Sequence, residues 1–227
     1  MSTNLTGPSL PPLCGGAPSQ IVILLHGYVS SGSDLISFAP HWQRGAPEAL
    51  FLAPNAPHGC PGMDRVYQWW DLSANTPQAL AEGAVRAAPA LNSYIEERLD
   101  EYGLDETRLA LVGFSQGAML ALHLGPRRER QIAGIIGYSG ALTGAAALAR
   151  EAVSKPPVLL VHGSADPIVP AAEMRAAKAS LQGLGFDVES HVYRGLGHTL
   201  NAKAVRLGGK FLRRVLGGRD GGKKVIS

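Results

Sequence analysis

Three residues with complementary chemistry, Ser115, Asp166 and His198, each follow a short apolar run and each sit in a turn-forming context. A serine hydroxyl is too weakly acidic to attack a carbonyl alone. An imidazole must take its proton, and a carboxylate must hold the imidazole tautomer and stabilise its cation. Ser115 lies in Gly113-Phe114-Ser115-Gln116-Gly117, a G-x-S-x-G sequence with an apolar run before it and Ala118-Met119-Leu120-Ala121-Leu122 after it. That context predicts an elbow in which a strand turns sharply into a helix, with small residues where a side chain would crowd the turn. Asp166 follows Val161-His162-Gly163-Ser164-Ala165 and precedes Pro167, and His198 ends Gly195-Leu196-Gly197-His198. Each residue also has a structural reading, as a glycine-turn serine, a turn-forming Asp and an exposed loop histidine. The ordered set of Ser, Asp and His at the ends of successive apolar runs argues for nucleophilic catalysis.

Acyl transfer also needs donors for a developing oxyanion. The run Leu24-Leu25-His26-Gly27-Tyr28 ends in a sharp turn followed by Ser30-Ser31-Gly32-Ser33, a loop by composition. Backbone N–H groups near Tyr28 and at Gln116, the first residue after the serine, are expected to converge there. His26 reads as a turn-stabilising residue, since His198 already supplies a base. Cys14 and Cys60 form no disulfide framework, and no His or Cys set has metal-ligand spacing, so neither a metal nor a cofactor is expected.

The elements that must position these residues alternate. Runs rich in Val, Ile and Leu predict buried strands at Ile21–Leu25, Ala49–Ala53, Leu109–Val112, Gly134–Tyr138, Pro157–Val161 and Asp187–Tyr193. Helices are predicted over Ala79–Tyr102, Gln116–Leu124, Pro170–Leu184 and Leu200–Val215. Leu80, Ala84, Ala87, Leu91, Ile95 and Leu99 form the apolar stripe of the first. Pro54, Pro57, Gly59, Pro61 and Gly62 mark the stretch after the second strand as loop. Alternating strands and helices argue an α/β fold: a mostly parallel central sheet with helices on both faces and ligands at the carboxyl ends of the strands.

Length allows one domain of 227 residues, divided as an N-terminal Pro/Gly-rich arm (1–20), a catalytic domain (21–216) and a flexible basic tail (217–227). No run is long and apolar enough for a membrane span, and stable membrane insertion is not expected. Met1 to Gln20 lacks the basic and apolar regions of a signal peptide, so a cytoplasmic location is expected. The net charge of +3 hides an asymmetry. Lys203, Arg206, Lys210, Arg213, Arg214, Arg219, Lys223 and Lys224 face only Asp220, leaving the rest of the chain net acidic. A solvated last helix and tail account for this, and the lack of interleaved aromatics beyond Phe211 argues against nucleic-acid binding. A homodimer is compatible with the sequence.

On these residues the chain resembles the phospholipase/carboxylesterase family of α/β hydrolases. The matching stretches are Leu24 to Asp34, Ala53-Pro54-Asn55-Ala56-Pro57, Gln68-Trp69-Trp70-Asp71-Leu72, Gly113 to Gly117, His162 to Pro170 and Gly195 to His198. The resemblance implies an α/β-hydrolase fold with no large lid domain. It implies a Ser115/Asp166/His198 triad, with the amides of Tyr28 and Gln116 as oxyanion donors. It also implies cofactor-free hydrolysis of a small-molecule carboxylic ester of short to medium chain, with thioester hydrolysis or lysophospholipase activity by the same triad as the alternative. A catalytically silent binding protein on the same fold is the remaining alternative, and no residue the chemistry needs is missing. Val29 departs from the glycine common in relatives and is expected to reshape the acyl entrance. Of the adjacent tryptophans, the resemblance favours Trp69 at the substrate pocket. Val29, Ile168, Leu196 and Met119 are further pocket candidates, for which core or surface positions remain equally compatible.

Overall fold

The Val/Ile/Leu runs do form strands, and alternate residues along each strand enter one of two cores. The computed structural model describes residues 5–217; the part of the expected basic tail beyond Gly217 lies outside them. The strands are β1 (Ser9–Leu10), β2 (Gln20–Leu25), β3 (Ala49–Leu52), β4 (His58–Gly59), β5 (Tyr67–Gln68), β6 (Leu109–Phe114), β7 (Gly134–Tyr138), β8 (Val158–Gly163) and β9 (Val188–Tyr193). The helices are α1 (Gly32–Ile36), α2 (Ala39–Gln43), α3 (Pro77–Tyr102), α4 (Gln116–Leu124), α5 (Ala145–Glu151), α6 (Ala171–Gly183) and α7 (Ala202–Leu216).

Seven strands make one sheet in the order β1-β3-β2-β6-β7-β8-β9. All its pairings are parallel except that of β1 with β3. On one face Ile21, Ile23, Leu25, Leu109, Leu111, Ile135 and Leu160 pack with α3, α4, α5 and α6 through Leu91, Ile95, Leu120, Leu148 and Leu181. On the other, Val22, Leu24, Val112, Ile136, Leu159 and Val161 pack with α1, α2 and α7 through Leu35, Trp42, Phe211 and Leu212. Strands buried on both faces are what a parallel sheet sandwiched between helices requires. Among the described residues no lid domain covers the carboxyl ends of the strands. Among the described residues no helix is long and apolar enough to cross a membrane.

Four local departures from the sequence reading have physical reasons. Part of the N-terminal arm is not outside the domain: Ser9 and Leu10 pair with Leu52 and Phe51 as an antiparallel edge strand. A two-residue strand beside prolines carries no periodic signal. The Ser30–Ser33 loop runs into helix α1 at Gly32, with Ser31 and Asp34 forming a reciprocal capping box. The stretch after β3 is interrupted by the small β4–β5 hairpin. Helix α5 had no counterpart in the sequence reading. It is seven residues long and Ala-rich, with Leu148 its one buried residue, too little for a stripe.

Candidate active site

Ser115 stands between β6 and α4 with φ 53° and ψ −115°, a combination that an L-residue adopts only under constraint. The constraint is visible on every side. Its amide donates to the Tyr138 carbonyl on β7 at 2.8 Å, and its own carbonyl accepts from Met119 at 3.1 Å. A Cβ at Gly113 would collide with the backbone of Gly117 and Ala118, and one at Gly117 would collide with the Leu25 carbonyl on β2. The two elbow glycines therefore let helix α4 start directly over the sheet. Gln116 opens that helix, so its amide is among the first four that no carbonyl of the helix accepts.

Asp166 lies in the loop after β8, with its side chain fully buried. Its Oδ1 accepts the amides of Ile168 and Val169, each at 2.9 Å. Its Oδ2 accepts from His198 Nδ1 at 2.8 Å. Burial is the largest single influence on this carboxyl and pushes its pKa up. The His198 bond and the two amides together outweigh it, and the pKa ends below its ordinary value of 3.8. Asp166 is thus held ionised. A second histidine, His162, approaches the same oxygen at 3.4 Å while its Nε2 lies 2.8 Å from the Val169 carbonyl, and its Nδ1 has no partner among the described residues.

The His198 loop leaves β9 and reaches α7, whose N-terminus Asn201 caps by accepting from the Ala204 amide at 2.8 Å. Leu196 ties this loop to the Asp166 loop by accepting from the Ala165 amide at 2.9 Å. The His198 ring packs against Phe114, one residue before the serine, with centroids 4.9 Å apart. With Nδ1 on the carboxylate, Nε2 carries the lone pair, and it makes no hydrogen bond among the described residues. Neither does Ser115 Oγ.

His26 presents the contrary arrangement. Nδ1 bonds the Gly27 carbonyl at 2.7 Å, and Nε2 accepts from the Ala56 amide at 3.0 Å. Both nitrogens are occupied by backbone, and burial lowers the pKa against the opposing effects of Gly27 and Asp34. This neutral ring fastens the Gly27-Tyr28 turn, the part expected of it. Val29, on that turn, has φ 50°. A left-handed backbone there accounts for the glycine expected at this position and costs a β-branched residue about 1–2 kcal/mol.

Two cavities flank the site. One of about 190 Å³ is lined by His26, Gly27, Phe38, Phe114, His198 and Leu200. The other, of about 240 Å³, is lined by Met119, Leu142, Thr143, Ile168, Val169 and Glu173 among others. Two of the expected pocket residues, Met119 and Ile168, line the second. Trp69, Val29 and Leu196 line neither. Val29 and Tyr28 stand on the exposed turn, and Leu196 is half-buried. Trp69 is 1% exposed and faces inward, because its indole Nε1 donates to the His26 carbonyl at 3.0 Å. The expected wall is an internal brace. Its partner, the Gln116 side chain, was not anticipated: Oε1 accepts from the Trp69 amide at 2.9 Å and Nε2 donates to the Trp70 carbonyl at 2.8 Å. A long amide side chain at a buried helix start was the only signal the sequence offered.

Comparisons with known proteins bear on this arrangement. The phospholipase/carboxylesterase family profile matches residues 14–216. The crystal structure of esterase PE8 superposes with a TM-score of 0.88 at 40% identity, covering 93% of this chain and 99% of that one. Acyl-protein thioesterase 1 of Schizosaccharomyces pombe is 32% identical over 213 residues, which are 88% of this chain and 93% of the relative. Acyl-protein thioesterase 1 of Gibberella zeae is 29% identical over 225 residues, 90% and 95% of the two chains.

Proposed function

The chain belongs to the phospholipase/carboxylesterase family, and from that premise we propose that it hydrolyses carboxylic esters through an acyl-enzyme on Ser115. The observation that carries the reading is His198, bonded through Nδ1 to a buried carboxylate, its Nε2 without a partner among the described residues, against the elbow that presents Ser115. In this reading Ser115 Oγ attacks the carbonyl carbon while its proton passes to His198 Nε2. A hydrogen bond from Ser115 Oγ to His198 Nε2 forms as substrate enters. The amides of Tyr28 and Gln116 receive the oxyanion. The leaving group takes the proton from Nε2, and water activated by the same imidazole then releases the acid.

The two cavities divide the substrate. Because the leaving group must be within reach of His198, the cavity lined by His198 and Phe114 takes the alcohol side. The cavity lined by Met119 and Ile168 takes the acyl chain. Its limited size favours short to medium chains, each methylene adding at most about 0.8 kcal/mol until the pocket is filled. A second reading, thioester hydrolysis, is supported by relatives named acyl-protein thioesterase that match nine-tenths of the chain. It would use the same groups, since attack geometry is shared.

A series of p-nitrophenyl esters from acetate to palmitate, run beside palmitoyl-CoA, tests the choice. The esterase reading expects kcat/KM to peak at about four to eight carbons, a range that rests on the family resemblance together with the burial argument above. Turnover of palmitoyl-CoA above every soluble ester would favour the thioesterase instead. Preference for triglyceride emulsions, with activation above the solubility limit, would point to a lipase.

A further inference from the structure

Trp69 is hydrogen-bonded on both sides of the proposed oxyanion hole. Its indole N–H holds the His26 carbonyl at 3.0 Å, two residues before Tyr28. Its own amide is held by the side chain of Gln116 at 2.9 Å, and Gln116 supplies the second oxyanion amide. Gln116 Nε2 closes the link on the Trp70 carbonyl at 2.8 Å. The strands that deliver the two loops, β2 and β6, pair only as far as Leu25 and Gly113. Beyond that last pair, the segment holding Trp69 connects the Tyr28 turn to the start of α4: Ser30 and Tyr67 exchange backbone hydrogen bonds at 2.7 and 3.4 Å, and Trp69 adds the side-chain bond nearest the two amides. His26, Trp69 and Gln116 are all about 1% exposed, so water does not compete for these bonds.

The geometry points to Trp69 as a positioning residue that sets the spacing of the Tyr28 and Gln116 amides, and this rests on their reading as the oxyanion donors. Donors must sit within hydrogen-bond reach of the position that the oxyanion, not the ground-state carbonyl oxygen, will occupy. A brace that fixes that spacing therefore acts on the transition state more than on bound substrate. Its loss should lower kcat while leaving KM nearly unchanged.

The neighbouring tryptophan supplies an internal control. Trp70 is also buried, but its Nε1 has no hydrogen-bond partner among the described residues. Replacing either indole by a phenyl ring removes the same N–H and similar volume, and only at Trp69 does that N–H hold anything.

The experiment compares Trp69→Phe, Trp70→Phe and Gln116→Met in the full chain. It reads kcat and KM on p-nitrophenyl butyrate, the affinity of an alkyl trifluoromethyl ketone, and the urea midpoint. Trp69→Phe is expected to lower kcat about 10- to 100-fold with KM changed less than about threefold, and to weaken the ketone in parallel. Trp70→Phe should keep kcat and ketone affinity within about twofold of wild type. Gln116→Met, which breaks the brace from the other end while keeping both rings, should follow Trp69→Phe, and it carries the test if that variant does not fold. Wild-type kcat and ketone affinity in Trp69→Phe would overturn the proposal. So would equal losses in both tryptophan variants that track the urea midpoint, since those mark general packing. A wild-type enzyme that binds the trifluoromethyl ketone no tighter than the matching methyl ketone would remove the oxyanion reading itself, and the positioning role with it.

Discussion

Two loops at the same edge of the sheet carry a buried or half-buried histidine, and they use it oppositely. Among the described residues, the loop after β9 gives His198 one hydrogen-bond partner, the Asp166 carboxylate, and leaves the other nitrogen without one. The loop after β2 gives His26 two backbone partners, one on each nitrogen, in a site where burial lowers its pKa. The first ring is oriented and still able to take a proton. The second is oriented by having nothing left to exchange. Both rings line the same cavity beside Phe114, and the identity of the hydrogen-bond partners separates the proposed base from a fastener.

The largest effect expected from this contrast is on turnover. His198→Ala should lower kcat by about 10³-fold or more, since the members of the proposed triad would act as a unit. His26→Phe should lose far less turnover but more stability, because it strands the Gly27 carbonyl and the Ala56 amide at about 1–3 kcal/mol each. Steady-state kinetics and urea denaturation of the two variants check this. Equal catalytic losses would erase the distinction.

A third histidine extends the contrast away from the site. His123 on α4 is buried, and burial, with Arg127 nearby, lowers its pKa from 6.5 to about 4. The folded state therefore prefers the neutral ring, as it does for His26. That contribution is complete above about pH 6.5 and is lost as pH falls toward 4, on the order of 3 kcal/mol for His123. Asp166 acts in a lower window, since its depressed carboxyl pKa is felt only below the ordinary value of 3.8. Urea midpoints at pH 7 and 4.5 should show the loss in wild type and a smaller one in His123→Leu. Undiminished acid sensitivity in that variant would remove His123 from the explanation.

The smallest effect sharpens the Tyr28 turn. Val29→Gly should relieve the left-handed strain and raise stability by up to about 1 kcal/mol, less the entropy that glycine adds to the unfolded chain. Thermal denaturation measures it, and a clear destabilisation would show that the valine side chain contributes packing that outweighs its backbone strain.

What the sequence made legible follows from how local each signal is. The elbow could be read because its glycines, apolar strand and helix are contiguous, and the sheet because double burial writes unbroken Val/Ile/Leu runs. Strand β1 and helix α5 escaped because neither repeats long enough to show a period. The family resemblance favours Trp69 at the substrate pocket, yet both Trp69 and Trp70 are buried. The direction of Trp69 is fixed by His26 and Gln116, some 43 and 47 residues away in sequence. No local pattern encodes such a bond. The groups proposed to react have local sequence signals, whereas the bonds of Trp69 and Gln116 are tertiary.

The central claim is that Ser115 is the nucleophile, and covalent labelling tests it most directly. A fluorophosphonate should form one adduct per chain, mapped by peptide mass spectrometry to Ser115 and absent in Ser115→Ala, with activity lost in proportion to labelling. A stoichiometric, inactivating adduct on any other residue would contradict the account.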